Sequence, residues 1–214
     1  MLATILKSGC LKGIKAAALR ALMALMALKP LRQPLKENKD IKHQNNVMIK
    51  DNNSNIGSYK NLIVYKKTVL IFKITHYFCT TFLNSKDRTV DQMIQAARSG
   101  KQNIVEGCSA GKKSLKSKEF LINVAKSSLK ELLEDYEDFL RIHNHRQWED
   151  NSAEKIKMRE IASNPKNDKL IFEIVKNRPS EVIANIAIVL INQADYLLYK
   201  FQQKIEKDWN NNPP

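Results

Sequence analysis

From residue 59 onward, apolar positions recur with the period of a helix. Leu62, Ile63, Val69, Leu70, Ile74 and Tyr77 predict a first helix over Ser58–Leu83. The β-branched residues and Phe72, Phe78 and Phe82 also fit a strand, but so long a run without a turn signal favours a helix. Asn84-Ser-Lys-Asp87 is a short turn that offers N-cap residues to a second helix. That helix is expected from Asp87 to Glu106, with Gly107 as the residue just past its end. Cys108–Lys116 is a Gly/Ser/Lys loop, and Ser117 is the expected N-cap of a third helix reaching Ile142.

Apolar residues of the third helix, from Phe120 to Leu140, cover more than half of its circumference, so it needs at least two neighbours. Glu131, Glu134, Glu137 and Asp138 take much of the remaining face, which reads as solvated or as a partner for another protomer's lysines. Residues 143–178 are mixed, with short helical pieces at Ala153–Ile161 and Leu170–Val175 around a break at Asn164-Pro165. Pro179-Ser-Glu opens a fourth long helix. Its segment Val182–Ile191 is apolar nearly all round; at ten residues it falls short of the roughly 20 that span a bilayer, so burial on several sides is expected. The fold class is all-α: an up-and-down four-helix bundle over residues 58–209, with a longer connection between helices three and four. Residues 210–214 read as a disordered tail.

The first 57 residues break this pattern. Residues 1–35 contain no acid, and Lys15–Lys29 is built of strong helix formers ended by Pro30. Arg20 and the lack of a small-residue cleavage site argue against a signal peptide. Two readings stay open: an amphipathic segment that touches membranes, or a disordered or loosely helical extension foreign to the native protein, with Met48 as a candidate start. Residues 36–58 are Lys/Asn/Asp-rich and read as a linker.

Charge changes the picture more than composition does. The chain of 214 residues carries a formal net charge of +14, from 36 Lys/Arg against 22 Asp/Glu. Ten of those cations and three of the acids precede residue 59, so the helical part holds about half of the excess. Such a surplus favours polyanionic partners. Cys10, Cys79 and Cys108 are odd in number and lack metal-ligand spacing, which points to a reducing cytoplasm, with Cys79 and Cys108 as buried thiols. No membrane partner and no cofactor is expected.

On an ideal second helix, Val90, Ile94, Ala97 and Ile104 share a face, with Lys101 in its middle and Arg98 at its edge. A buried unpaired ammonium is costly. Three resolutions are open: a kink at Ser99-Gly100 that turns Lys101 outward, snorkelling or pairing with an acid such as Glu106, or a place in a subunit interface or pore that holds anions. Lys112, Lys113, Lys116 and Lys118, with Lys86 and Arg88 at the other end of the helix, are the densest basic clusters. With Arg98 and Lys101 they form the candidate nucleic-acid-binding set. No aromatic residue interleaves with the loop lysines, and the bland reading of them is a solvated loop.

Catalytic candidates fail on geometry. His143-Asn144-His145 spells the letters of the HNH nucleases, but those spread the residues over a ββα-metal unit, and two histidines at i, i+2 on a helix point apart. Gly107-Cys-Ser-Ala-Gly-Lys-Lys113 lacks the preceding strand and the spacing of a phosphate loop. Trp148 reads as an anchor for the crossover segment. No catalytic residue and no metal site is expected.

Gln92–Gly107, ending in Asn103-Ile-Val-Glu-Gly107, resembles the second-helix signature of bacterial four-helix-bundle proteins related to those encoded in intervening sequences of 23S ribosomal RNA genes. Ser128–Leu140, Arg146-Gln-Trp-Glu149 and Ala184–Leu198 are similar to the "four helix bundle suffix domain" branch of that family. The likeness covers roughly residues 57–208. It implies a four-helix bundle without enzymatic activity. A more distant similarity, to the accessory variability determinant of diversity-generating retroelements, implies a basic homopentamer that contacts nucleic acid and a reverse transcriptase. The expected function is therefore a non-enzymatic, oligomeric bundle contacting RNA or DNA through basic surface; the alternative is a structural or protein-interaction module without a nucleic-acid role.

Overall fold

The computed structural model describes residues 59–110 and 114–211. The N-terminal extension, Lys112, Lys113 and the last three residues lie outside the described part. All regular structure within it is helical. A 3-10 turn at Tyr59–Asn61 leads into α1 (Ile63–Phe82), followed by α2 (Arg88–Ser109), α3 (Leu115–Ile142), α4 (Ala153–Ser163), α5 (Asp168–Val175) and α6 (Ser180–Asn211). The four long helices pack as neighbours: α1 on α2 and α6, and α3 on α2 and α6. The short helices α4 and α5, joined by a 3-10 turn at Pro165–Asn167, cover α6 and α1 respectively.

Local chemistry sets the helix ends. The Asp87 carboxylate accepts the Thr89 N–H at 2.9 Å and caps α2. Ser114, not Ser117, caps α3: its hydroxyl accepts the Ser117 N–H at 3.2 Å, so the helix begins one turn earlier than its apolar pattern implied. Gly107 does not end α2. The helix runs on to Ser109, because Gly107 is a packing residue: a Cβ there would meet Ile122 Cδ1 at 3.3 Å.

The same cause shifts the whole buried stripe of α2. Its buried residues are Met93, Ala96, Ala97, Gly100, Ile104 and Gly107, a strip rich in small side chains that seats α2 closely on α3. A Cβ on Gly100 would lie 2.8 Å from both Cγ and Cδ2 of Leu129, itself buried. Beside this contact, the Ser99 and Ser128 hydroxyls hydrogen-bond at 2.9 Å. Gly100→Ala gains about 1 kcal/mol of helix propensity but overpacks by about 1–3 kcal/mol. A net loss of roughly 1 kcal/mol is expected in urea unfolding. Leu129→Ala should cost less in that background than in the native chain; simple additivity would count against the close contact.

At the centre, Phe78 packs on Tyr136 and Phe139 with ring centroids 5.1 and 4.8 Å apart. The fully buried Tyr136 hydroxyl donates to Thr75 Oγ1 at 3.0 Å, and burial holds its ionisation far above the usual range. Cys79 is buried beside Met93, its thiol pushed up to about 12, chiefly by burial. Every residue from Ile183 to Ile191 of α6 is buried. Among the described residues, α6 alone is long and apolar enough to cross a membrane, yet most of its apolar window is buried inside the protein.

Between α3 and α4 the chain is clamped to the start of α6. Trp148 is buried, and its N–H donates to Asn185 Oδ1 at 2.7 Å. Asn185 Nδ2 donates to the carbonyls of Arg146 and Glu181, each at 2.9 Å. Lys155 holds the Trp148 carbonyl from the other side, at 3.3 Å, and pairs with Asp150 at 2.9 Å. Trp148 thus anchors the crossover, as its place in the sequence implied.

Candidate nucleic-acid interface

The expected basic residues are spread along α2 rather than gathered. Lys86 and Arg88 are exposed at one end of it; Lys116 (exposed) and Lys118 (half-buried) sit beyond the other end. A helix of 22 residues is about 33 Å long, so the clusters are well separated. Arg98 is exposed between them, but the same outer ridge also presents Asp91 and Glu106, so the ridge is not a positive stripe.

Lys101 adopts a position between the extremes. With the buried stripe centred on Gly100, it lies at the α1-facing flank of the helix, not in the middle of the core face. Its Nζ sits 4.6 Å from the centroid of the Phe72 ring on α1. Helix α2 continues through Ser99-Gly100, and no acid pairs with Lys101 among the described residues. The side chain snorkels over an aromatic face.

A second basic face, which the sequence reading did not single out, lies where α1 meets α5. Helix α1 contains three lysines and no acid. Lys66 and Lys73, seven residues apart and therefore on one side of the helix, are exposed. The third, Lys67, is buried; its Nζ donates to the Ala162 carbonyl at 2.5 Å and lies 3.8 Å from Asp168 Oδ1. That distance makes an ion pair but not a hydrogen bond, and Asp168 Oδ1 accepts none. Burial drives the two groups toward their neutral forms. The Lys67 pKa is lowered by desolvation, against the pull of Asp168. The Asp168 pKa is raised by desolvation, against the pull of Lys67, Lys66 and Lys73.

From the other element, Lys166, Lys169 and Lys176 are exposed. Lys176 reaches Glu173 at 2.9 Å and lies 4.9 Å from the Phe172 centroid. Phe172 meets Tyr77 edge-on at 6.3 Å, and the Tyr77 hydroxyl donates to the Lys176 carbonyl at 3.1 Å. Both acids of these segments, Asp168 and Glu173, are thus engaged by lysines, while Lys66, Lys73, Lys166 and Lys169 face solvent. Aromatic rings interleave with lysines here, which they do not in the expected loop cluster. The spacing of Lys66 and Lys73 was visible in the sequence; their approach to a segment about a hundred residues later was not.

The histidines also differ from expectation. The helix stops at Ile142, and Asn144 takes a left-handed conformation (φ 52°), so His143 and His145 come together instead of pointing apart. Their rings stack with centroids 5.9 Å apart and planes 15° from parallel. His143 Nδ1 is 2.9 Å from the Phe139 carbonyl, and His145 Nδ1 is 3.8 Å from Glu181. Parallel rings aim their nitrogens side by side rather than at one point. Among the described residues, no group of three or more His, Cys, Asp or Glu side chains is placed to hold a metal ion. The acids of α3 remain at the surface, with Glu131, Glu134 and Asp138 exposed. Comparison with protein-family models, curated proteins and solved structures found no match for the chain.

Proposed function

We propose that the chain is an up-and-down four-helix-bundle protein that binds RNA or DNA through basic surface and performs no catalysis of its own. One observation carries this reading: the α1–α5 face presents four solvent-facing lysines while both of its acids are taken up by other lysines. Unbalanced positive charge of this kind is what a phosphate backbone recognises, irrespective of base sequence. The resemblance of Gln92–Gly107 to the 23S intervening-sequence proteins, and of Ala184–Leu198 to their suffix-domain branch, supports the bundle assignment, and the free cysteines fit a reducing cytoplasm. The more distant similarity to the accessory variability determinant suggests a homopentamer and a protein such as a reverse transcriptase as a candidate partner. Oligomerisation would repeat the basic face and raise avidity without new contacts.

Fluorescence anisotropy with labelled mixed-sequence RNA and DNA tests the reading. Binding at ~50 mM salt that weakens steeply towards ~200 mM is expected. No binding at the lower salt would overturn it. A second reading, a protein-interaction module, draws on Phe120 and Ile142, which are 66% and 74% exposed on α3. It would be favoured if nucleic acid failed to bind.

A further inference from the structure

A second surface, where α3 meets α6, has a different chemistry. Tyr196 and Tyr199 are three residues apart on α6 and so share a face; they are 44% and 47% exposed. Lys200 Nζ lies 5.7 and 5.8 Å from the two ring centroids. Lys126 reaches over from α3 to within 6.0 Å of the Tyr199 ring. An amide bridge joins the two helices beside them: Gln202 Nε2 donates to Asn123 Oδ1 at 2.7 Å.

We propose that this surface is a stacking platform for single-stranded nucleic acid, with bases laid on Tyr196 and Tyr199 and phosphates held by Lys126 and Lys200. The inference rests on the proposed function and adds the strand state that a second site selects. Exposed tyrosines on a soluble helix offer a flat π-face at little entropic cost, and any unpaired base can use it. Both lysines lie over ring faces, Lys200 over both tyrosines and Lys126 over Tyr199, so a stacking base displaces the ammonium groups toward the phosphates that flank it. A duplex keeps its bases stacked on one another and cannot use the rings, whereas the α1–α5 face contacts the backbone of either form.

The test compares the full chain with a Tyr196→Ala/Tyr199→Ala variant, using fluorescein-labelled RNA of about 20 nucleotides as a single strand and as the matching duplex. A single-strand affinity loss of roughly 10- to 100-fold is expected, with duplex affinity unchanged within about twofold. Tyr196→Phe/Tyr199→Phe should keep most of the single-strand binding, because the ring and not the hydroxyl stacks. Equal losses for both strand forms, or no loss for either, would overturn the platform and leave the basic face standing. A native chain that binds neither form would overturn both readings. A variant that keeps single-strand affinity but changes mass by light scattering would mark the tyrosines as a subunit contact and also overturn the platform.

Discussion

Asn185→Asp is expected to destabilise the protein by about 4 kcal/mol at neutral pH, most of the margin of an ordinary domain. Asn185 is 1% exposed, and its side chain works in both directions: the oxygen accepts the Trp148 N–H, and the nitrogen donates to the Arg146 and Glu181 carbonyls. A carboxylate keeps the first contact. It turns the other two into lone pairs facing lone pairs, around a charge without a counter-ion in hydrogen-bond reach. Asn185→Ala removes all three bonds without adding charge, and should cost about 3 kcal/mol, largely for the Trp148 N–H left buried and unpaired.

The two variants separate on acidification. The introduced carboxyl has a raised pKa in the folded state, because burial disfavours its charge. The folded protein therefore holds a proton that the unfolded chain has released. Between the unfolded value of about 4 and the higher folded value, stability falls as pH rises. Below about 4 both states are protonated and the charge penalty is gone. Urea midpoints relative to the native chain should thus improve for Asn185→Asp on going from pH 7 to pH 4, and stay level for Asn185→Ala. A parallel response of the two would show that the amide's polarity contributes nothing to the clamp.

That clamp was half legible beforehand. Trp148 stood out as an anchor because a large apolar residue in a polar stretch has little else to do. Asn185 did not, since an asparagine inside Val182–Ile191 reads as a blemish in an apolar run. The long helices followed from periodicity, and their ends erred where small polar or small apolar residues decide the matter. Ser114 and Ser117 are equivalent as letters; only the turn they form selects the cap. Gly107 has two uses, ending a helix or admitting a neighbour, and hydrophobicity does not distinguish them.

Lys101 shows the same weakness in the functional reading. A wheel weighted by hydrophobicity centred the core stripe on Val90, Ile94 and Ile104, which put Lys101 inside it. The close α2–α3 contact through Gly100 rotates that stripe toward the small residues and leaves Lys101 at a flank, over Phe72. The basic face escaped notice for a different reason. Lysines in α1 sit among apolar residues, look unremarkable one by one, and gain meaning only when Lys166, Lys169 and Lys176 are folded against them.

The decisive functional variant is consequently Lys66→Gln/Lys73→Gln. Both residues are exposed, and glutamine keeps length and helix propensity, so the fold should be preserved. Each phosphate contact contributes a slope of about 0.9 to the dependence of log affinity on log salt. Losing two lowers the slope by about 2. Between ~1 M and ~50 mM salt, one such contact is worth roughly tenfold, so the double variant should bind on the order of 100-fold more weakly at ~50 mM. The gap should close as salt rises, because the lost term is counterion release. Lys86→Gln/Arg88→Gln is the matched comparison, removing the same charge from the turn after α1 and the first residue of α2. A larger loss there, with Lys66 and Lys73 indifferent, would move the interface to the end of α2, where the linear order of basic residues first placed it.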